Sequence, residues 1–407
     1  MVRLNSNLWF TPTSYGGVFT KIVGHRLHRV YIDDEALTSI VEDISRETLD
    51  ALKARDVNPN LLKVHIDDIK KEVEECKRLV KENRWLLFSL YPLQFSVQTV
   101  NYCNARCDFC YANVPNERER KTMSFERIRS LKDYAALHGV KFGVSGGEPL
   151  LHPNLYDILS YRKEEVFDTL ITNLTPDFDH KKLVETGVDL IQVSIHGYGE
   201  KHNRVLKIRN AYSRIRERMI NLLRDDVNVA TNTVITPGNI DSMERLVKDF
   251  GEIQHVTGKK LSYVRFVPVF PSGAGFDRYS ANKNFMEEVK TLMRGLIRKY
   301  NNLEFEVPLL HSNPYEYFYE DNIWVCPAGS TVAVVRIDGR LTPCNQFLDT
   351  NVSSRVSVEE EDFHRMWLFD PLFSTMRKGI KGISERFSCN ECRYLIMKHE
   401  KRLSKRT

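Results

Sequence analysis

The sequence predicts an α/β protein. Its core is a partial (β/α)6, TIM-like barrel, preceded by a small α+β module and followed by a short cysteine-bracketed β segment. Three observations carry this reading. From about residue 94, apolar β-type runs alternate with amphipathic helical runs, the mark of βα units on a parallel sheet. Near residue 320 the alternation stops. Before residue 94 the order differs, with two strand-like runs and then charged helical stretches. The boundaries fall at 1–93, 94–315 and 316–407.

In the first segment, residues 17–23 and 28–32 read as strands, and residues 37–52 and 66–83 as helices. Cys76 falls in the second helical stretch without a partner nearby and reads as a structural thiol. In the second segment the strands lie at 95–100, 141–144, 167–172, 190–195, 227–235 and 261–269. Ser124 caps a helix that carries Phe125, Ile128, Leu131 and Ala135 on one face. The same spacing recurs at Ile215, Met219 and Leu222, at Met243, Leu246 and Val247, and at Met286, Val289, Leu292, Met293 and Leu296. In the third segment, residues 332–337 and 340–342 flank an Asp338-Gly339 turn, a β-hairpin signature. No low-complexity linker separates the segments, so they are expected to pack closely.

Composition narrows the function classes. A charged fraction of 28% and a hydrophobic fraction of 42% are those of a globular protein, and no apolar run reaches the roughly 20 residues of a membrane helix. Neither a signal peptide nor a membrane partner is expected, and the cytoplasm is the expected compartment. The net charge of +5, from 59 basic and 54 acidic residues, is too slight for a nucleic-acid surface. The basic tail after Lys398 reads as a solvated terminus. Eight cysteines in a reducing compartment point to metal ligands rather than disulfides.

Seven of these cysteines are grouped. Cys103, Cys107 and Cys110 form a CxxxCxxC loop directly after the first barrel strand. Loops leaving the C-terminal ends of barrel strands build active sites, so three thiolates there would hold a metal centre at the barrel mouth. Three thiolates on a four-iron cubane leave one iron open, as a reactive centre needs; zinc or a disulfide is the bland alternative. Val144-Ser145-Gly146-Gly147-Glu148-Pro149 ends the second strand. There Gly146 and Gly147 allow close backbone approach, and the Glu148 carboxylate can accept from an ammonium group.

On these motifs the chain resembles the radical S-adenosylmethionine (SAM) superfamily over residues 94 to 395. The resemblance implies a radical SAM barrel whose 4Fe-4S cluster, held by Cys103, Cys107 and Cys110, cleaves SAM reductively so that a substrate hydrogen is abstracted. It also implies an electron donor such as flavodoxin or ferredoxin. Gly146, Gly147 and Glu148 match the family's Gly-Gly-Glu segment at the SAM amino group. Thr172-Asn173 matches its segment near the ribose, with Asn173 the cofactor contact, and Ser194 matches the serine of its Ser-Ile-Asp-Gly segment, His196 standing where aspartate is usual. A cationic partner for the SAM carboxylate would be Lys207 or Arg204. Phe109 and Tyr111 would pack on adenine or belong to the core, and His196 reads as a proton-transfer group or a hydrogen-bonded loop histidine.

Cys326, Gly339, Cys344 and the pair Cys389 and Cys392 resemble the twitch domain, the shortened SPASM form, which implies an auxiliary 4Fe-4S cluster; four cysteines also suit a structural zinc. The implied activity is modification of a peptide or protein side chain, as in ribosomal-peptide maturases. The N-terminal module is compatible with a winged-helix-like leader-peptide element to which an extended peptide adds a strand. Modification of a small molecule is the second expectation, and a cluster-bearing redox or scaffold protein without SAM turnover the third.

Overall fold

The computed structural model describes residues 1–14, 16–23, 25–33, 35–37, 58–84, 88–112, 119–162, 164–269, 272–275, 283–300, 309–311 and 328–378. Most of the helix expected over 37–52, Cys326, Cys389, Cys392 and the basic tail lie outside the described residues.

The N-terminal module is a four-stranded antiparallel meander of β1 (Val2–Asn5), β2 (Leu8–Thr13), β3 (Gly16–Val23) and β4 (Arg26–Ile32). Helices α1 (Pro59–Val64) and α2 (Ile66–Asn83) cover it. Apolar residues at helical spacing give α2 one buried face. Ile69 and Val73 on that face meet Leu4, Leu8, Phe10 and Phe19 of the sheet. Farther along the same face, Cys76 and Leu79 enter the main core, so α2 spans both packing units. Two strands escaped the sequence reading: β1 has only four residues, and β2 contains Pro12, which weakens a strand pattern.

The main sheet runs β5 (Gln94–Val100), β6 (Lys141–Gly146), β7 (Asp168–Thr172), β8 (Leu190–Ser194), β9 (Val229–Ile235), β10 (Val264–Pro268) and β11 (Leu309–His311), each parallel to the next. These strands include the six read from the sequence. The seventh, β11, is three residues long and too short to show a period. At the other edge β12 (Val332–Val335) adds parallel to β5, and β13 (Leu341–Thr342) completes the expected hairpin. The hairpin therefore continues the main sheet. Among the described residues β11 and β13 do not pair, and the parallel sheet is that of a partial barrel.

Helices α3 (Phe125–Leu137), α4 (Leu155–Ser160), α5 (His180–Glu185), α6 (Glu200–Leu206), α7 (Ala211–Arg224), α8 (Met243–Thr257) and α9 (Lys283–Tyr300) alternate with the strands. Ser124 caps α3 as its sequence suggests, its hydroxyl accepting from the Arg127 N–H. A buried ion pair fastens α3 to β7: Lys132 Nζ lies 2.6 Å from Asp168 Oδ2 and also donates to the Ile158 carbonyl. Among the described residues no helix is long and apolar enough to cross a membrane.

The N-terminal module closes the N-terminal ends of the barrel strands. Trp9 and Ile22 pack with Phe167, Leu190 and Ala230, and Trp9 lies where a side chain at Gly139 would stand. His25 Nδ1 is 2.9 Å from Asp189 Oδ1, and Arg29 donates to the Leu93 carbonyl. The last described helices, α10 (Phe363–Phe369) and α11 (Pro371–Arg377), dock beside β12 through Arg377. Its fully buried guanidinium donates to the carbonyls of Gly329, Leu368 and Trp367 and lies over the rings of Phe88 and Trp367. Replacing Arg377 by Met strands those carbonyls, and urea denaturation should show a loss of about 2–4 kcal/mol. An unchanged midpoint would mean that the three bonds contribute nothing.

A second junction groups Tyr91, His138 and His364, with the imidazole centroids 4.6 and 4.4 Å from Tyr91 and 6.1 Å from each other; the Tyr134 hydroxyl meets His364 Nδ1 at 3.0 Å. Burial pushes the two imidazoles down to about 3 and about 4. Unfolded, both histidines take protons below about pH 6.5, whereas the folded protein keeps them neutral to about pH 4. The folded state binds fewer protons across that window, so stability falls as pH falls through it. The urea midpoint should drop between pH 7 and pH 5, and His364→Gln should reduce that drop. An equal or larger drop in the variant would contradict the assignment.

Candidate active site at the barrel mouth

The cysteine loop leaves the C-terminal end of β5. Cys103, Cys107 and Cys110 are half-buried and form no disulfide. Burial raises the Cys103 thiol to about 12, with the Glu148 charge adding to it, and holds Cys107 well above its ordinary value, with Cys110 and Cys103 next in effect. The three sulfurs are near enough to oppose one another's ionisation. Yet among the described residues no three His, Cys, Asp or Glu side chains converge on a single ion. Thiolates this costly to ionise are suited to a centre that brings positive charge with it.

Hydrogen bonds fix the loop at both ends. The Arg106 side chain donates to the Cys103 carbonyl at 2.6 Å, and the Arg106 N–H donates to the Leu206 carbonyl at the end of α6. Cys103 Sγ accepts from the Ala105 N–H at 3.3 Å and from Asn173 Nδ2 at 3.5 Å. Asn173 Nδ2 also donates to Asn104 Oδ1, and Asn104 Nδ2 to Thr175 Oγ1. Asn104 and Thr175 are site residues that the sequence reading missed. The signal was present in Asn173-Leu174-Thr175, an Asx-type turn in which the Thr175 N–H donates to Asn173 Oδ1.

The Gly146-Gly147-Glu148 turn lies against this loop. The Gly147 N–H donates to the Val100 carbonyl at 2.7 Å and the Glu148 N–H to the Tyr102 carbonyl at 2.9 Å. Gly146 has φ +151°, and a Cβ on Gly147 would run into the Tyr102 carbonyl, so both positions favour glycine. The Glu148 carboxylate is fully buried, which raises its pKa to about 7. It already has three protein donors: the Leu150 N–H and Thr172 hydroxyl on Oε1, and the Asn173 N–H on Oε2. The carboxylate is thus first a brace between β6 and β7, with Oε2 holding one donor.

The remaining sequence candidates fall around the same mouth. The Tyr111 hydroxyl meets Ser145 at the end of β6, and burial, with the Cys110 charge next, pushes it up to about 12. Phe109 stands edge-on to His196, centroids 4.9 Å apart. His196 is buried and held down to about 3; its Nδ1 accepts from the Val234 N–H, so the ring proton sits on Nε2. Ser194 is half-buried at the end of β8. Lys207 is committed to Asp108 of the cysteine loop, Nζ to Oδ1 2.6 Å, whereas Arg204 is 75% exposed beside Glu200. Of the second cysteine set only Cys344 is described. It lies two residues from Gln346, which accepts from Ser272, and nearby Ala274 donates its N–H to the Cys110 carbonyl.

Fold and loop define an α/β protein of partial-barrel type with three thiols on the loop at its mouth. Residues 97–250 match the family described as the Radical SAM superfamily, and the chain carries that domain. Over 273 residues it is 23% identical to the sporulation killing factor maturation protein SkfB of Bacillus subtilis, 63% of this chain and 61% of that one. A probable GTP 3',8-cyclase of Methanococcus maripaludis is 35% identical over 105 residues, 25% of this chain and 35% of the relative. The chain thus spans between about a third and three fifths of these relatives. Streptococcus suis SuiB bound to S-adenosylmethionine has the same fold: TM-score 0.73 at 16% identity, covering 94% of this chain and 91% of that one. SuiB bound to its precursor peptide SuiA gives 0.69 at 16% identity, covering 95% and 92%.

Gly147→Ala should displace Tyr102, the residue before Cys103. The variant, reconstituted without oxygen, should therefore retain clearly less iron at the loop than the parent. Equal iron content would show that this close approach does not position the thiols.

Proposed function

We propose that this protein is a radical SAM enzyme that modifies a peptide or protein side chain. The observation that carries the proposal is the placing of three half-buried thiols on one loop that the Gly-Gly-Glu turn and Asn173 hold by hydrogen bonds, at the mouth of a radical SAM domain. Cys103, Cys107 and Cys110 would hold the 4Fe-4S cluster, which when bound supplies the electron that cleaves SAM. Asn173 and the Ala105 N–H temper the charge on the Cys103 sulfur. Gly146 and Gly147 let backbone approach the methionyl end of SAM, and Glu148 keeps that backbone and the Thr172-Asn173 segment in register. Phe109 and the edge-on His196 narrow the mouth. Flavodoxin or ferredoxin would serve as the electron donor.

Likeness in fold to SuiB, whose structure with its precursor peptide SuiA is known, and the SkfB relative support a peptide substrate. So does β4, an edge strand of the N-terminal sheet with Arg26, His28 and Tyr31 exposed, to which an extended leader segment could add. Local identity to the cyclase favours a small-molecule substrate as the second reading. Cys326, Cys344, Cys389 and Cys392 would hold an auxiliary 4Fe-4S cluster.

Under anaerobic reducing conditions the reconstituted protein should release 5'-deoxyadenosine from SAM, and Cys107→Ala should abolish that release. Release by the variant at the parental rate would refute SAM cleavage at this loop. Roughly eight irons per chain are expected for two cubanes, against about four irons and one zinc if the second site is structural. Modification of a peptide encoded beside the gene would separate the two substrate readings.

A further inference from the structure

Among the described residues no strand pair joins the two edges of the main sheet, yet segments from its two ends meet at the cysteine loop. The loop follows β5, near one edge, and residues 272–275 follow β10, near the other; the two strands stand five places apart in the sheet. Beyond β10 the chain keeps to β9 for one more bond, the Val269 N–H donating to the Ile235 carbonyl at 2.8 Å. At 272–275 it makes a tight turn, in which the Gly275 N–H donates to the Ser272 carbonyl at 3.0 Å.

This turn grips the loop at its last cysteine. The Ala274 N–H donates to the Cys110 carbonyl at 2.9 Å, and the Cys110 N–H donates to the Cys107 carbonyl at 3.2 Å, so both polar groups of the Cys110 backbone are held. Gly273 makes the approach possible. Its φ of +54° lies in the left-handed region, and a Cβ there would fall on the Cys110 carbonyl oxygen and crowd the Tyr111 carbonyl. Conformation and close packing thus each demand glycine at this position.

The turn is also tied to the C-terminal segment. Ser272 is only 3% exposed, and its hydroxyl donates to Gln346 Oε1. Gln346 sits in the short helical turn Asn345–Phe347 that Cys344 opens, where the Phe347 N–H donates to the Cys344 carbonyl at 3.2 Å. One four-residue segment therefore holds the last cysteine of the loop and the turn after Cys344 together. Separating them would strand a buried hydroxyl, which costs more than the net worth of the bond itself.

We propose that Ser272, Gly273 and Ala274 are positioning residues for Cys110: they clasp its backbone to the turn after Cys344, so that the C-terminal segment helps to set the last thiol of the loop. A displacement of the Cys344 turn is passed to the Cys110 carbonyl through two hydrogen bonds and the Gly273 contact. That Cys110 is a cluster ligand rests on the function proposed above; the clasp itself does not.

Amide hydrogen exchange of the full, anaerobically reconstituted chain, read by mass spectrometry on samples of equal iron content, tests the clasp. Loss of one such bond should speed exchange over residues 103–111 about three- to tenfold in Ser272→Ala and in Gln346→Leu. The double variant should be no faster than the faster single one, because both changes break the same link. Gln346→Glu keeps an acceptor for the Ser272 hydroxyl and should match the parent, as should the exposed Lys181→Met. Gly273→Ala, whose methyl must push the Cys110 carbonyl away, should speed exchange further. The proposal is overturned if Ser272→Ala and Gln346→Leu both exchange over 103–111 as the parent does, if their effects multiply in the double variant, if Gln346→Glu is as fast as Gln346→Leu, or if the faster exchange spreads evenly over the chain. Exchange reads no turnover. A chain that shows this coupling but releases no 5'-deoxyadenosine refutes the proposed function alone, and the converse refutes the clasp alone.

Discussion

One buried carboxylate organises the mouth of this barrel. Glu148 lies just past the end of β6, and its three hydrogen bonds reach the turn that follows it and the end of β7. Its own N–H is bound to Tyr102, immediately before the cysteine loop. A single residue thus couples the loop, the glycine turn and the Thr172-Asn173 segment. Burial alone would make such a carboxylate unfavourable, and its satisfied hydrogen bonds make it tolerable. The arrangement of the thiols follows from this brace, because Asn173, held by Glu148, in turn donates to Cys103.

The two ends of the barrel have different electrostatic problems. At the mouth, burial disfavours thiolates, so the loop is suited to a centre that brings positive charge with it. At the floor, burial and then the charges of Arg29 and Arg265 push the Lys141 ammonium down to about 8. The N-terminal module supplies part of this floor through Trp9, Ile22 and Arg29. Its sheet is therefore more than an appendage, since it packs against the N-terminal ends of the barrel strands.

Much of the fold was legible in the sequence because period and spacing carry it. The strands of the βα units, the Ser124 cap and the Asp338-Gly339 hairpin all follow from local patterns. Long-range pairing was not legible: nothing local says that β12 adds to β5, or that three residues at 309–311 extend the sheet. At the site, the cysteine spacing and the glycine turn were visible. The commitments of polar side chains were not, because they depend on which partner arrives across the fold. Lys207 offers a plain case, as its ammonium is matched by Asp108 rather than left for a cofactor, and the bracing role of Glu148 is another. Residues Asn104 and Thr175 drew no attention in sequence because single polar residues have no period.

The account depends on a cluster at Cys103, Cys107 and Cys110 with one iron left to an exogenous ligand. Electron paramagnetic resonance of the reduced, anaerobically reconstituted protein, recorded before and after SAM addition, tests this most directly. A low-spin cluster signal that changes shape and position when SAM is added is the expected result. A cluster signal that SAM leaves untouched, or none assignable to these three cysteines, would contradict it.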